Sequence, residues 1–117
     1  NDHDLDRLRA ALPDDFVMND HRRTGLGQLA KEEFVTSLTA LFGLAPDVMV
    51  ENLYTIAADR HANLSVVRMF GTLTDGGPFE SFIVRVAWFR DDRIVGQELF
   101  EPEDLELARA RFEALRC

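Results

Sequence analysis

Two guanidinium groups and a carboxylate, Arg68, Arg85 and Glu98, stand at spacings that could bring them together. Such a set could hold an anionic ligand, stabilise a developing enolate, or neutralise itself as a structural ion cluster. Whether they meet depends on the stretch that carries them. Asn63 to Phe100 reads NLSVVRMFGTLT, DGGP, FESFIVRVAWFR, DDR and IVGQELF: three runs rich in Val, Ile, Phe and Thr, broken by Asp, Gly and Pro. That pattern predicts consecutive antiparallel strands joined by tight turns. With Asp75–Pro78 as a four-residue loop, Thr74 faces Phe79; with Asp91-Asp92 as a two-residue turn, Arg90 faces Arg93. Alternation of side chains then sets Arg68, Arg85 and Glu98 in one row, with Phe70, Ile83 and Phe100 on the same face. In one reading Glu98 relieves the repulsion of two opposed cations. In the other the row is the charged wall of a pocket with apolar sides, suited to an amphipathic acid. Tyr54 either lines that pocket or belongs to the core. A bulge would shift the register and dissolve the row.

The second face collects Val67, Met69, Phe82, Val84, Val86, Trp88, Val95 and Leu99, almost without charge. Both faces being apolar, both should be covered. Helices laid on the charged-row face would leave this one exposed, so it is expected to form a homodimer interface anchored by Trp88 and Met69. The inverse assignment packs Trp88 on the helix over 31–42.

Stepwise along the chain, Asp2–Leu12 reads as a short helix ended by Pro13, with Leu5, Leu8 and Leu12 at helical spacing. Phe16–Asp20 reads as a strand and His21–Gln28 as a loop. Lys31–Phe42 is a helix with Phe34, Val35, Leu38, Leu41 and Phe42 on one stripe, stopped by Gly43. Val48–Ala58 is a strand that turns through Asp59–Ala62 into the meander. Glu101-Pro102-Glu103-Asp104 opens a last helix, with Pro and acids in its first turn. The order predicts an α+β fold, helices against one face of a curved antiparallel sheet.

A length of 117 residues fits one domain with a real core, and 46% hydrophobic content with nine Phe fits a globular one. The net charge of −8 argues against nucleic-acid or anionic-membrane partners. No run of eighteen apolar residues exists. One Cys, at the last position, excludes an internal disulfide and points to a reducing, cytoplasmic setting. There is no phosphate loop, and His3, His21 and His61 lack metal-ligand spacing, so neither cofactor nor metal is expected.

The order of elements, DDFVMNDHRRTGLG early, RDDRIVGQELF late and the trailing PEDLELARARFEAL resemble the SnoaL-like branch of the nuclear transport factor 2-like superfamily. The resemblance covers most of the chain and its motifs are diffuse. It implies a cone: a strongly bent sheet wrapped over helices around a pocket. It also implies a fragment lacking the family's long first helix. Members include polyketide cyclases, ketosteroid isomerases and dehydratases, and similar domains are appended to bacterial signalling proteins. By that resemblance Asp20 matches the general base of the isomerases, with His21 as its helper; alternatively Asp20 caps the loop that follows. Arg85 stands where isomerases carry an acidic oxyanion-hole group, which a permanently charged side chain cannot imitate. The cyclases' catalytic Asp corresponds to Leu99, with Glu98 adjacent on the opposite face. Three functions follow: a ligand-binding or sensory domain, a small isomerase, cyclase or dehydratase, or a dimerisation module.

Overall fold

Pro13 lacks a backbone N–H and closes the first helix, so α1 spans Leu5–Ala11. The computed structural model describes residues 5–23, 25 and 27–115. The start of the expected first helix at Asp2, together with His3, Thr24, Leu26 and Cys117, lies outside the described residues. β1 (Val17–Asp20) is followed by β2 (Gly27–Ala30), which returns antiparallel to it and takes Gly27 and Gln28 out of the expected loop. Gly27 begins that strand at φ 74°, a left-handed geometry that a side chain resists.

α2 runs Lys31–Leu44. The Glu33 carboxylate accepts the Ala30 N–H at 3.0 Å and so satisfies one free donor at its start. Gly43 lies inside the helix rather than ending it; the stop falls at Ala45, which Pro46 pushes away from helical geometry. β3 (Met49–Ala58), β4 (Ala62–Thr72), β5 (Pro78–Arg90) and β6 (Arg93–Phe100) form the meander. A 3-10 turn at Pro102–Asp104 leads into α3 (Leu105–Leu115).

The α+β class and the curved sheet are as the sequence predicts, with two corrections. First, the six strands lie in the order β2-β1-β6-β5-β4-β3, and β1 pairs parallel to β6, so the sheet is mixed. Second, the helices cover both faces. Leu99 packs with Leu12, Phe16, Met18, Leu29 and Phe34 under α1 and α2, whereas its neighbour Phe100 packs with Leu64, Val84, Val86, Ala108 and Phe112 under α3. Successive residues of a strand point to opposite faces. The α1/α2 side is called the inner face below and the α3 side the outer face. The far end of α2 is tied over the inner face: Thr72 N donates to Asp47 Oδ1 at 2.8 Å, and Thr74 N to the Leu44 carbonyl at 2.9 Å.

The turn at Asp91-Asp92 forms as expected, with φ 53° and 65° and Arg90 opposite Arg93. The other loop does not. It spans Leu73–Gly77, closed by Leu73 N donating to the Gly77 carbonyl, and Thr72 faces Pro78. Phe79 consequently sits opposite Gly71 rather than Thr74, an odd shift of three that exchanges the faces of β4 relative to β5. A bulge at Val95 shifts β6 by one more residue, from Phe89↔Ile94 to Trp88↔Gly96. The row Arg68–Arg85–Glu98 therefore does not exist.

Candidate functional site

The true register builds a different row. On the inner face Thr55, Ser65, Arg85, Leu99 and Asp20 lie side by side across β3, β4, β5, β6 and β1. Strands are spaced about 4.8 Å apart, so the Asp20 and Arg85 backbones, two strands apart, stand roughly 10 Å from each other. Ser65 is fully buried, with its Oγ 3.4 Å from Thr55 Oγ1. Ile83 and Val67, facing each other one step along, are buried and apolar.

Arg85 is the anomaly in this row. Among the described residues its buried Nε has no hydrogen-bond partner, and no acid pairs with it. Burial alone pushes the guanidinium below arginine's ordinary range. Asp20, 5% exposed, is in the opposite condition. Arg22 Nε donates to its Oδ1 at 2.9 Å and Arg22 Nη2 to its Oδ2 at 2.7 Å, a two-pronged ion pair; the Arg22 backbone N–H adds a third bond at 3.1 Å. The bond to Asp20 raises the Arg22 pKa. The loop closes tightly over this pair, since a Cβ on Gly25 would lie 2.5 Å from Asp20 Oδ1. Asp20 thus caps its loop and binds a cation at once, and both carboxylate oxygens are engaged.

His21, the next residue, points to the outer face. Its Nε2 lies 2.9 Å from Glu98 Oε1, and its ring stacks on Phe100 with centroids 4.7 Å apart. Glu98 is buried and also accepts from Arg111 Nε on α3 at 2.5 Å. Asp20 and His21 are therefore not brought together as a base and its helper. Arg68 lies on the outer face as well, opposite Phe82, bonded to Glu80 and stacked over Phe70 at 3.8 Å. It borders an open cleft of about 480 Å³ with Asp47, Phe70, Thr72, Phe79 and Glu80. A second cleft, about 460 Å³, lies between Asp14, Asp15, Gln28 and Glu33. Neither includes Arg85 or Asp20. Of the expected pocket residues, Arg85 and Ile83 share the inner face, Glu98 and Phe100 belong to the α3 side, and Tyr54 is 59% exposed on β3.

The expected dimer face is corrected by the same shift. Val84 and Val86 are buried in the α3 core, and Trp88 packs against that core and on Gly96. Met69 falls on the inner face, Leu99 packs under α1 and α2, and Val95 is the bulge. Phe82 alone of that set is strongly exposed, at 45%. Sequence reasoning missed Arg22; the signal available was an acid at a predicted strand end with Arg two residues on, the spacing of an ion-paired turn. Among the described residues no three His, Cys, Asp or Glu side chains gather as metal ligands, and no helix is long and apolar enough to cross a membrane.

No family model matches the sequence, and neither does any curated protein. Solved structures do match. BvnE pinacolase from Penicillium brevicompactum is similar at 15% identity and TM-score 0.74, over 99% of this chain and 84% of that one. A Jannaschia sp. CCS1 protein provisionally named a SnoaL-like polyketide cyclase is similar at 14% identity and TM-score 0.68, over 92% and 78%. A Catenulispora acidiphila protein of ketosteroid isomerase-like fold, solved with trimethylamine, is similar at 14% identity and TM-score 0.69, over 84% and 75%. With the curved sheet, the inner and outer helices and these likenesses together, the chain has the ketosteroid isomerase-like, nuclear transport factor 2-like fold.

Proposed function

We propose that this domain binds a small amphipathic anion on the inner face of its sheet, with Arg85 as the anchor, and that it does not use Asp20 as a base. One observation carries the reading: a buried guanidinium N–H without an acceptor. An arginine stays charged at any ordinary pH, and leaving a buried donor unmade costs about 1–3 kcal/mol. An anionic oxygen supplied by a ligand removes that cost. Ile83, Val67 and Leu99 make the same face apolar, and Thr55 offers an exposed hydroxyl at the end of the row. Asp20 is committed to Arg22, so accepting a proton would disrupt a buried ion pair. The similar structures include a complex with a small molecule and a pinacolase, which supports a small-molecule site in this fold. The domain serves in this reading as the ligand-sensing unit of a bacterial regulator.

The test is calorimetric titration of the purified domain with benzoate and octanoate. Wild type is expected to bind at least one of them, and Arg85→Met to lose at least tenfold in affinity while remaining folded by circular dichroism. Equal affinity in the two proteins, or no binding by wild type, defeats the proposal. A second reading, self-association, is favoured by the exposed apolar side chains Met49, Tyr54 and Phe82 on the part of the outer face away from α3.

A further inference from the structure

Asn63 belongs to the same inner face as Arg85, and no expectation from the sequence assigned it a role. It lies on β4 two residues before Ser65; Ser65 faces Arg85 and Asn63 faces Ala87. Asn63 and Arg85 are thus diagonal neighbours across one strand pair, at a separation of about 7–8 Å that long side chains can bridge. They do not bond to each other. Asn63 Oδ1 and Arg85 Nε are instead the two buried side-chain atoms without a hydrogen-bond partner among the described residues. One is an acceptor and the other a donor. Native proteins pair nearly all such groups, so two orphans of opposite kind on one face call for a partner of matching pattern. A plain carboxylate satisfies Arg85 and leaves Asn63 unmade. A molecule bearing an anionic oxygen and a nearby O–H satisfies both.

We infer that Asn63 is a second recognition residue of the Arg85 site, and that the ligand class is a hydroxy acid: the acid oxygen accepts from Arg85 Nε and the hydroxyl donates to Asn63 Oδ1. The inference rests on the Arg85 reading above. Ser65, opposite Arg85 and two residues from Asn63, is fully buried and already bonded to Thr55, so it leaves both orphans unsatisfied.

The probes are benzoate and the ortho, meta and para hydroxybenzoates, rigid molecules that differ only in the place of the hydroxyl. In wild type one isomer is expected to bind roughly three- to tenfold tighter than benzoate, the ratio that one net hydrogen bond gives. Asn63→Ala should erase that ratio and leave benzoate affinity unchanged, while Arg85→Met should weaken all four alike. Asn63→Asp gives an independent check, because it sets an internal anion beside Arg85 and should abolish benzoate binding. If no isomer gains over benzoate, if the gain survives Asn63→Ala, or if Asn63→Asp binds benzoate like wild type, the Asn63 inference is wrong while the Arg85 anchor stands. If wild type binds none of the four, both fall.

Discussion

Arg85→Met should make the ligand-free domain more stable, the reverse of the usual effect of a core substitution. Methionine keeps the apolar stem's contacts and removes the buried N–H that has no acceptor. An unmade buried donor costs about 1–3 kcal/mol. Arg85 as a whole is only partly buried, so its remaining guanidinium atoms keep some hydration, and the lower part of that range applies: a gain of about 1–2 kcal/mol. For a domain of this size each kcal/mol moves Tm by roughly 4 °C, giving a rise of about 4–8 °C. The pH dependence follows from the direction of the shift. Burial lowers the pKa of this base in the folded state, so the unfolded chain holds its proton more tightly. The penalty is complete at every pH below the folded pKa and is relieved only as pH climbs through arginine's own range. The gain should therefore be flat from about pH 5 to 9. Urea melts followed by circular dichroism at several pH values measure it. Destabilisation by more than about 1 kcal/mol, or a gain confined to one side of neutrality, would show a counter-charge that is absent among the described residues, and the reasoning about Arg85 would be refuted.

Arg22→Ala should cost about 2–4 kcal/mol in urea denaturation, because it strands the Asp20 carboxylate, whose side chain is 2% exposed. Asp20→Asn should cost less, since the Arg22 side chain, 20% exposed, can turn to water; equal costs would contradict this asymmetry. Gly96→Ala drives a methyl into the Trp88 ring and should cost about 1–3 kcal/mol with a shift in the fluorescence of the single Trp; an unchanged spectrum and stability would mean the ring does not sit on Gly96. If the outer-face strip pairs two copies, wild type should sediment as a dimer and Phe82→Glu as a folded monomer; a wild-type monomer rules the self-association reading out.

What the sequence disclosed was mostly local. The Asp91-Asp92 turn, the α2 stripe and the start of the last helix are written in residues that act on their immediate neighbours. The site was harder because it depends on register. DGGP looks like a loop in itself, but the turn begins two residues earlier, at Leu73, and one odd shift moves every side chain of β5 across the sheet relative to β4. Arg85 and Ile83 still share a face because they lie on one strand; Arg68 and Glu98 were placed with them by pairing and were lost with it. β2 escaped notice because GQLA has no alternation of its own and is a strand only by virtue of β1 beside it. No local pattern announces that β1 will lie parallel to β6.

That parallel pair governs the order in which the domain can be made. Asp20 meets Leu99 across most of the length of the chain, and such a contact repays its loop-closure cost only after the intervening strands are in place. During synthesis the first hairpin must wait, with Met18 and Leu29 exposed, until the segment through Phe100 has left the ribosome. The β4–β5 hairpin is closed by neighbours in sequence and can form well before it. Pulsed hydrogen exchange during refolding should protect Val84 and Val86 early and Met18 late, so the polar row is begun at Ser65 and Arg85 and completed only when Asp20 docks beside Leu99.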